Sequence, residues 1–205
     1  MSEKRDRTSL VFAKEYPPKI TWYHSALVYD DLKMLLEVAN NKLLKKDLDL
    51  FKYDVSERTI CAAFMLHLKS VLWGTPFRTY HIDVEYNRNI DGLIKTIIDD
   101  NEVVTNITCD LVVHSRGDSI EQDNLIALEM KKSDRENDKK QKDKNRLIAL
   151  TKEKNAVWSY DGKTLPRHVC RYILGVYYEI SLNRNQIYLE YYYHGKLLDF
   201  KTICM

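Results

Sequence analysis

The chain has 205 residues, of which 44% are hydrophobic and 30% are charged, and its formal net charge is +2. This size and composition predict one globular domain with a substantial core. With only six glycines and four prolines, the chain is not a repetitive or low-complexity protein, and so small a net charge does not by itself indicate a partner.

The N-terminal segment has no apolar stretch of the kind found in signal peptides. It reads MSEKRDRTSLVFAKEYPPK, with acidic and basic residues interspersed. The longest apolar runs, such as YILGVYY, are far shorter than the roughly 20 residues of a membrane-spanning helix. We therefore expect a cytoplasmic protein without a membrane segment.

The cysteines and histidines are too dispersed to form a recognisable metal motif. Cys61, Cys109, Cys170 and Cys204 include no Cys-x-x-Cys pair, and the six histidines form no His-Glu-x-x-His motif. This spacing predicts reduced, mostly buried thiols in place of a disulfide framework or a zinc site.

The first half of the chain is predicted to be an irregular arm followed by helices. Apolar residues at helical spacing predict one or two helices between Ser25 and Leu48. In the next segment, Ser56 can cap a helix, and Glu57 suits the positive end of the helix dipole. Gly74-Thr75-Pro76 should end that helix.

Strand patterns begin at residue 80. Tyr80–Tyr86 alternates strictly between the two faces of a strand, and Ile107–His114 has the composition of the next strand. A polar loop then leads to Leu125–Lys131, which predicts a hairpin. The segment 91–105 is compatible with a short helix and with an inserted turn.

A basic segment, a helix around residues 144–154 and two strands complete the predicted order. The strands are His168–Ile180 and Gln186–His194. Helices followed by α-β-β-β-α-β-β predict an α/β or α+β fold with a mixed sheet. We expect residues 1–50 to form an arm and helical extension and residues 51–205 the core, within one compact domain.

The end of the strand Leu125–Lys131 carries charge where a buried strand should stay apolar. Residues two apart share a face, so Glu129 and Lys131 point to the same side, and Asp110 on the partner strand can approach them. Carboxylates suit Mg²⁺ or Mn²⁺, which can polarise a phosphodiester and activate water. The lysine can orient that water or offset transition-state charge.

An acid-x-Lys tripeptide occurs five times in the chain, so the tripeptide alone carries little weight. Asp199-Phe200-Lys201, for example, has no preceding hairpin in the predicted order that offers a second acid. Only Glu129-Met130-Lys131 ends a buried strand and follows a strand with an embedded aspartate. A solvated strand end is the alternative interpretation, because charge clusters are also built for structure.

Asp110-Leu-Val-Val-His114 followed by Leu125-Ile-Ala-Leu-Glu-Met-Lys131 resembles the signature of the PD-(D/E)xK nucleases. The order of elements over about residues 54–180 also resembles the restriction-endonuclease-like core of that superfamily, which is α-β-β-β-α-β. Cys109 stands in place of the nominal proline, a position that varies widely in the family. The resemblance implies an α/β fold in which helices flank a mixed sheet.

The resemblance further implies a metal-dependent nuclease that hydrolyses phosphodiester bonds of nucleic acid, DNA in preference to RNA. Asp110 and Glu129 would bind Mg²⁺ or Mn²⁺ together with the carbonyl of Met130, Glu57 would complete the site, and Lys131 would assist the attacking water. A homodimer is compatible with cleavage of both strands of a duplex. The alternative is a non-catalytic nucleic-acid-binding or assembly protein on the same fold, since fold does not fix function.

Several other residues have a structural interpretation beside a functional one. Glu57 is explained by a role as a helix N-terminal acid alone as well as by a role in the site. Asp83 and Glu85 are expected on a solvated face or paired with Arg88. His114 is expected to be a structural histidine at the end of its strand, although it can also contact a phosphate. Lys132 should point away from Lys131.

Two longer segments are equally open to interpretation. Residues 132–154 contain nine basic and five acidic residues, which is compatible with a phosphate-facing surface and with a solvated helix. The run Tyr191-Tyr192-Tyr193 can stack on bases, but strand alternation favours a half-buried sheet or a dimer interface.

Overall fold

The structure is a computed structural model that describes residues 25–88, 95–98, 104–119, 121–152 and 168–205. The predicted N-terminal arm lies outside these residues, as do most of segment 91–105 and the last two residues of the helix predicted over 144–154. No described helix is both long enough and apolar enough to cross a membrane.

Within the described residues, three helices precede the sheet. They are α1 (Ser25–Lys46), α2 (Leu48–Lys52) and α3 (Glu57–Leu72). The helices predicted between residues 25 and 48 and after Ser56 are therefore confirmed. The Ser56 side chain accepts a hydrogen bond from the backbone N–H of Thr59 at 3.2 Å, so it caps α3 as predicted.

The second part of the chain forms the sheets and a fourth helix. The elements are β1 (His81–Val84), β2 (Thr96–Ile98), β3 (Val104–Asn106), β4 (Leu111–His114), β5 (Asn124–Lys132), α4 (Asn137–Leu150), β6 (Leu174–Ser181), β7 (Gln186–Tyr193) and β8 (Lys196–Cys204). Six strands form one sheet in the order β1-β4-β5-β6-β7-β8, while β2 and β3 pair separately. β5 and β6 are parallel and the other neighbours in the large sheet are antiparallel. The predicted α/β class with a mixed sheet and flanking helices is confirmed.

Helices cover both faces of the sheet around β5. Leu36 of α1, Phe64 of α3 and Leu128 of β5 belong to one buried cluster. On the opposite face, Leu147 of α4 packs in a second cluster with Ala127 of β5. A strand that is buried on both faces loses its polar alternation, which explains the apolar run at the start of β5.

The C-terminal end of α4 approaches the sheet closely at Gly175 in β6. A Cβ atom at this position would lie 2.8 Å from Cγ2 of Thr151 and 3.0 Å from Cβ of Tyr192. The absence of a side chain at Gly175 therefore allows the C-terminal end of α4 to pack closely against β6.

The predicted start of the strand before the hairpin is wrong. The strand was expected from Ile107, but β4 begins at Leu111. The backbone N–H of Glu85 donates to the Asp110 carbonyl, and the Asp110 side chain accepts from β5. The expected strand Tyr80–Tyr86 is likewise shorter, because Glu85 has a φ of 52° after β1 ends.

The predicted helix around 144–154 starts too late, since α4 begins at Asn137. Its first half carries mostly charged, exposed residues and gives no apolar periodicity. The strand predicted from His168 starts later, at Leu174.

A third C-terminal strand, β8, is missing from the predicted order. β7 and β8 pair as an antiparallel hairpin. His194 and Gly195 join them with φ values of 50° and 75°, as a tight two-residue hairpin turn requires. Asp199 therefore lies in a hairpin that the sequence did not predict, but Glu190 on the partner strand is opposite Phe200 and so points to the other face of the sheet.

Candidate active site

The ends of β4 and β5 bring Asp110 to the Glu129-Met130-Lys131 segment. Leu111 pairs with Leu128 in the antiparallel register. Continuing that register by one residue sets Asp110 opposite Glu129, and opposite residues share a face. Oδ2 of Asp110 accepts a hydrogen bond from the backbone N–H of Met130 at 2.7 Å. The aspartate is thus held against the strand that carries the glutamate and the lysine.

Glu129 is a buried carboxylate, with only 1% of its surface exposed. Its Oε1 accepts a hydrogen bond from Nη1 of Arg146 at 2.5 Å. Burial raises the pKa of Glu129 to about 8 against the opposing effect of Arg146, and the nearby negative charges of Asp110 and Asp143 raise it further. The pKa of Glu129 is therefore raised mainly because its carboxyl is removed from water, and the single contact with Arg146 does not offset this.

Lys131 points to the same side of β5 and meets a carboxylate of α4. Its Nζ lies 3.0 Å from Oδ2 of Asp143. Burial lowers the pKa of Lys131, but the ion pair with Asp143 and the charges of Asp110 and Glu57 outweigh it, so the pKa is raised overall. The ammonium stays protonated and oriented, which suits a group that donates to a substrate oxygen or to water.

Glu57 reaches the end of β5 from the other side of the sheet. Its Oε1 accepts a hydrogen bond from the backbone N–H of Lys132 at 2.9 Å and lies 3.4 Å from Nε of Arg135. The residue is both a first-turn acid of α3 and a neighbour of the strand end, so the two interpretations of Glu57 are compatible.

Glu57, Asp110, Glu129 and Asp143 form what we call the carboxylate cluster. Burial raises the pKa of Asp110; the Met130 N–H and Lys131 oppose this, while Asp143 and Glu57 add to it. A cation bound next to Asp110 and Glu129 would favour their ionised forms and oppose the effect of burial.

The donor chemistry of the cluster suits Mg²⁺ or Mn²⁺, which prefer carboxylate and carbonyl oxygens. Met130 turns its side chain into the core, where its sulfur lies 3.7 Å from Sγ of Cys61, so only its backbone is available to the site. Among the described residues, however, no group of three or more His, Cys, Asp or Glu side chains is arranged to hold a metal ion. An ion would have to draw the carboxylates together and share Glu129 with Arg146.

Sequence reasoning missed Asp143 of the carboxylate cluster and the arginine that contacts it, both of which lie on α4. Asp143 is buried, and Arg146 contacts both Asp143 and Glu129. Their i, i+3 spacing places them on one face of a helix, but the surrounding charges conceal this face in the sequence. Part of the basic segment 132–154 is thus a helix that packs on the sheet. Lys144 of this helix also contacts the sheet, since its Nζ lies 2.7 Å from Oε1 of Glu190 on β7.

The structural interpretation holds for residues near the start of the sheet. Nε2 of the buried His114 lies 2.9 Å from Oδ2 of Asp83, which also accepts a hydrogen bond from Nε of Arg116 at 2.8 Å. Glu85 accepts from Nε of Arg58 at 2.7 Å. Arg116 therefore pairs with Asp83, and Arg58 pairs with Glu85.

Two further expectations are confirmed. Nζ of Lys132 points away from Lys131 and lies 2.5 Å from Oδ1 of Asp54. Tyr191 and Tyr192 are buried in the sheet, so neither ring is exposed for stacking on a base.

A polar pocket of about 390 Å³ opens beside the cluster. Its lining is Ser133, Lys140, Glu179, Ser181, Asn183, Arg184, Gln186 and Tyr188. Glu179 pairs with Lys131 in the register of β5 and β6, so the pocket begins one strand, about 4.8 Å, away from Lys131. Lys140 spans its inner edge, with Nζ 2.6 Å from the Ser133 carbonyl and 3.3 Å from Glu179.

No protein-family model matches the chain, and no curated protein or solved structure matches it. A functional conclusion therefore depends on the residues around Glu129 and Lys131 and on the motif they form.

Proposed function

We propose that this protein is a metal-dependent nuclease of the PD-(D/E)xK type, which hydrolyses phosphodiester bonds of nucleic acid, DNA in preference to RNA. The observation that carries the proposal is the meeting of Asp110, Glu129 and Lys131 on one face at the ends of β4 and β5. The order α3-β1-β4-β5-α4-β6 supports it, because β4 and β5 are antiparallel and β5 and β6 parallel around the crossover helix. In this proposal β2 and β3 are an insertion into a restriction-endonuclease-like core.

Asp110, Glu129 and the Met130 carbonyl would hold Mg²⁺ or Mn²⁺, with Glu57 at the margin of the site. The ion would supply the positive charge that polarises a phosphodiester and makes a bound water more acidic. The raised pKa values of Asp110 and Glu129, which a bound cation would lower, support this assignment.

Lys131 would donate a hydrogen bond to the attacking water or to a phosphate oxygen that gains charge in the transition state. Asp143 is a positioning residue for this step, because it holds the ammonium 3.0 Å from its carboxylate. A preorganised donor costs no reorganisation when the substrate reacts.

The polar pocket would take the next phosphate of the nucleic acid. Arg184 supplies positive charge, Lys140 is paired with Glu179 at the inner edge, and Ser181, Asn183 and Gln186 supply polar groups. Because the pocket lies one strand from Lys131, a substrate strand that crosses the end of the sheet can contact both.

The test is cleavage of single- and double-stranded DNA and RNA with Mg²⁺ or Mn²⁺, by wild type and by Asp110→Asn. The variant keeps the size of the side chain but removes its charge. We expect metal-dependent cleavage by wild type and a loss of at least about 100-fold in the variant. Equal rates would remove Asp110 from the mechanism, and no cleavage by wild type on any substrate would overturn the proposal.

A second candidate is a non-catalytic nucleic-acid-binding or assembly protein on the same fold. The ion pairs Glu129–Arg146 and Lys131–Asp143 favour it, because they partly neutralise the site without a metal. A calorimetric Mn²⁺ titration separates the candidates. Heat of binding that is lost in Asp110→Asn favours the nuclease, whereas no binding together with unchanged nucleic-acid affinity in Glu129→Gln favours the second candidate.

A further inference from the structure

β8 forms one edge of the six-stranded sheet and has the properties of an edge strand that can pair with a further strand. Among the described residues it pairs with β7 alone. Three of its large apolar side chains are exposed: Leu197 to 49%, Leu198 to 58% and Phe200 to 65%. A long edge strand with exposed apolar residues offers free backbone groups and apolar surface to another strand.

The sequence of β8 is complementary to itself when two copies run antiparallel about a twofold axis at Phe200. Phe200 then meets Phe200 of the second copy, and Asp199 faces Lys201 on both sides of the axis. Opposite charges and aromatic pairs stabilise directly opposed positions of antiparallel strands. An axis at Asp199 or at Lys201 would instead place like charges opposite each other, so the sequence favours the axis at Phe200 over these two neighbours.

The charges that would meet are already oriented by α1. Nζ of Lys33 lies 2.5 Å from Oδ2 of Asp199, and Nζ of Lys201 lies 2.6 Å from Oε2 of Glu37. Pairing about Phe200 extends these contacts into a row with alternating sign: Glu37 and Lys201 of one copy, then Asp199 and Lys33 of the other. The row occurs twice because of the twofold symmetry.

We propose that β8 is a homodimer interface, in which the β8 strands of two copies pair antiparallel about Phe200 and join their sheets. The bulge at Leu198 limits the regular pairing to Asp199–Lys201, because Thr202 would lie opposite Leu198 of the second copy. This interface does not depend on the nuclease proposal, because none of its residues belongs to the carboxylate cluster or to the polar pocket.

The test uses the fact that a residue on a twofold axis meets itself. We compare the mass in solution of wild type, Phe200→Asp and Phe200→Lys by sedimentation equilibrium. We expect a wild-type dimer at micromolar concentration. In each variant the dissociation constant should rise at least about 100-fold, since two phenylalanines lose burial and two like charges meet. An equimolar mixture of the two variants should dimerise again, because a carboxylate and an ammonium would then be opposed at the axis.

The matched control is Leu66→Asp on α3, since Leu66 is exposed to 66% and lies outside β8. It should remain dimeric, and far-UV circular dichroism should show that all variants stay folded because both side chains are largely exposed. A monomeric wild type, dimeric single variants, or a mixture that stays monomeric would each overturn the proposed interface. Dissociation by Leu66→Asp would also overturn it and place the contact elsewhere.

Discussion

Nη1 of Arg146 donates a hydrogen bond to Oε1 of Glu129 at 2.5 Å, and this contact ties α4 to the end of β5. The carboxylate is almost fully buried and the guanidinium side chain is 24% exposed. An arginine that reaches a buried acid from the solvent side both stabilises the charge and limits access to it. The contact thus links the stability of the fold to the chemistry of the site.

Removal of Arg146 alone should destabilise the fold strongly. We expect Arg146→Met to lower the free energy of unfolding by more than the roughly 1 kcal/mol of an exposed ion pair, because Glu129 would remain buried without its cation or would have to take up a proton. The double variant Arg146→Met/Glu129→Gln should recover much of this loss, since no charge is then left unpaired. Urea unfolding monitored by circular dichroism measures both.

The matched control for this cycle is Lys139→Met, which removes the cation of an exposed ion pair with Glu136 on the same helix. It should change the free energy of unfolding by less than about 1 kcal/mol. Equal effects of Lys139→Met and Arg146→Met, or additive effects in the double variant, would show that the buried contact stabilises the fold no more than an exposed ion pair does.

His114 predicts a loss of stability in mild acid. Burial and the charge of Lys95 lower its pKa from 6.5 to about 4, against the opposing hydrogen bond to Asp83. Between these two pH values the unfolded chain binds a proton that the folded protein does not, so stability falls as the pH falls. The contribution of one such group approaches about 1.4 kcal/mol per pH unit.

Urea unfolding at pH 7.5 and at pH 5 should therefore show a larger loss of stability in wild type than in His114→Gln. Glutamine keeps a polar group near Asp83 but does not titrate. An identical loss in the two proteins would mean that His114 does not sense pH in the fold.

The sequence predicts the strand end well because local rules govern it. Residues two apart on a strand share a face, so Glu129 and Lys131 point to α4 while Met130 and Lys132 point to the other side. The hairpin with Asp110 follows from two apolar runs and a polar loop. Ser56 caps α3 for an equally local reason.

Long-range contacts are what the sequence does not reveal. Asp143 and Arg146 reach the site only because α4 crosses over between two parallel strands, and their own segment resembles a solvated charged helix. β8 escapes prediction because exposed polar residues alternate irregularly with its apolar ones. The one local signal for β8 is His194-Gly195, whose positive φ values form the turn before it.

The polar pocket predicts a specific contribution to nucleic-acid binding. Arg184→Gln should weaken binding and reduce the slope of log affinity against log salt concentration by about 1, because one phosphate contact would be lost. Fluorescence anisotropy with a labelled oligonucleotide at several salt concentrations measures this slope.

Lys142→Gln is the control for Arg184→Gln, since it removes the same charge from an exposed position of α4 that does not line the pocket. It should leave the slope closer to that of wild type. Equal slopes for the two variants would indicate general electrostatic attraction and would remove the pocket from the binding surface.

The comparison of Lys131→Met with Lys132→Met tests the nuclease proposal most directly. The two lysines are adjacent, but Lys131 faces the carboxylate cluster whereas Lys132 pairs with Asp54 on the opposite side. In single-turnover cleavage with Mn²⁺, we expect Lys131→Met to lose at least about 100-fold in rate and Lys132→Met to keep a rate near that of wild type. Equal rates for the two variants, or a larger loss in Lys132→Met, would contradict the proposed role of Lys131.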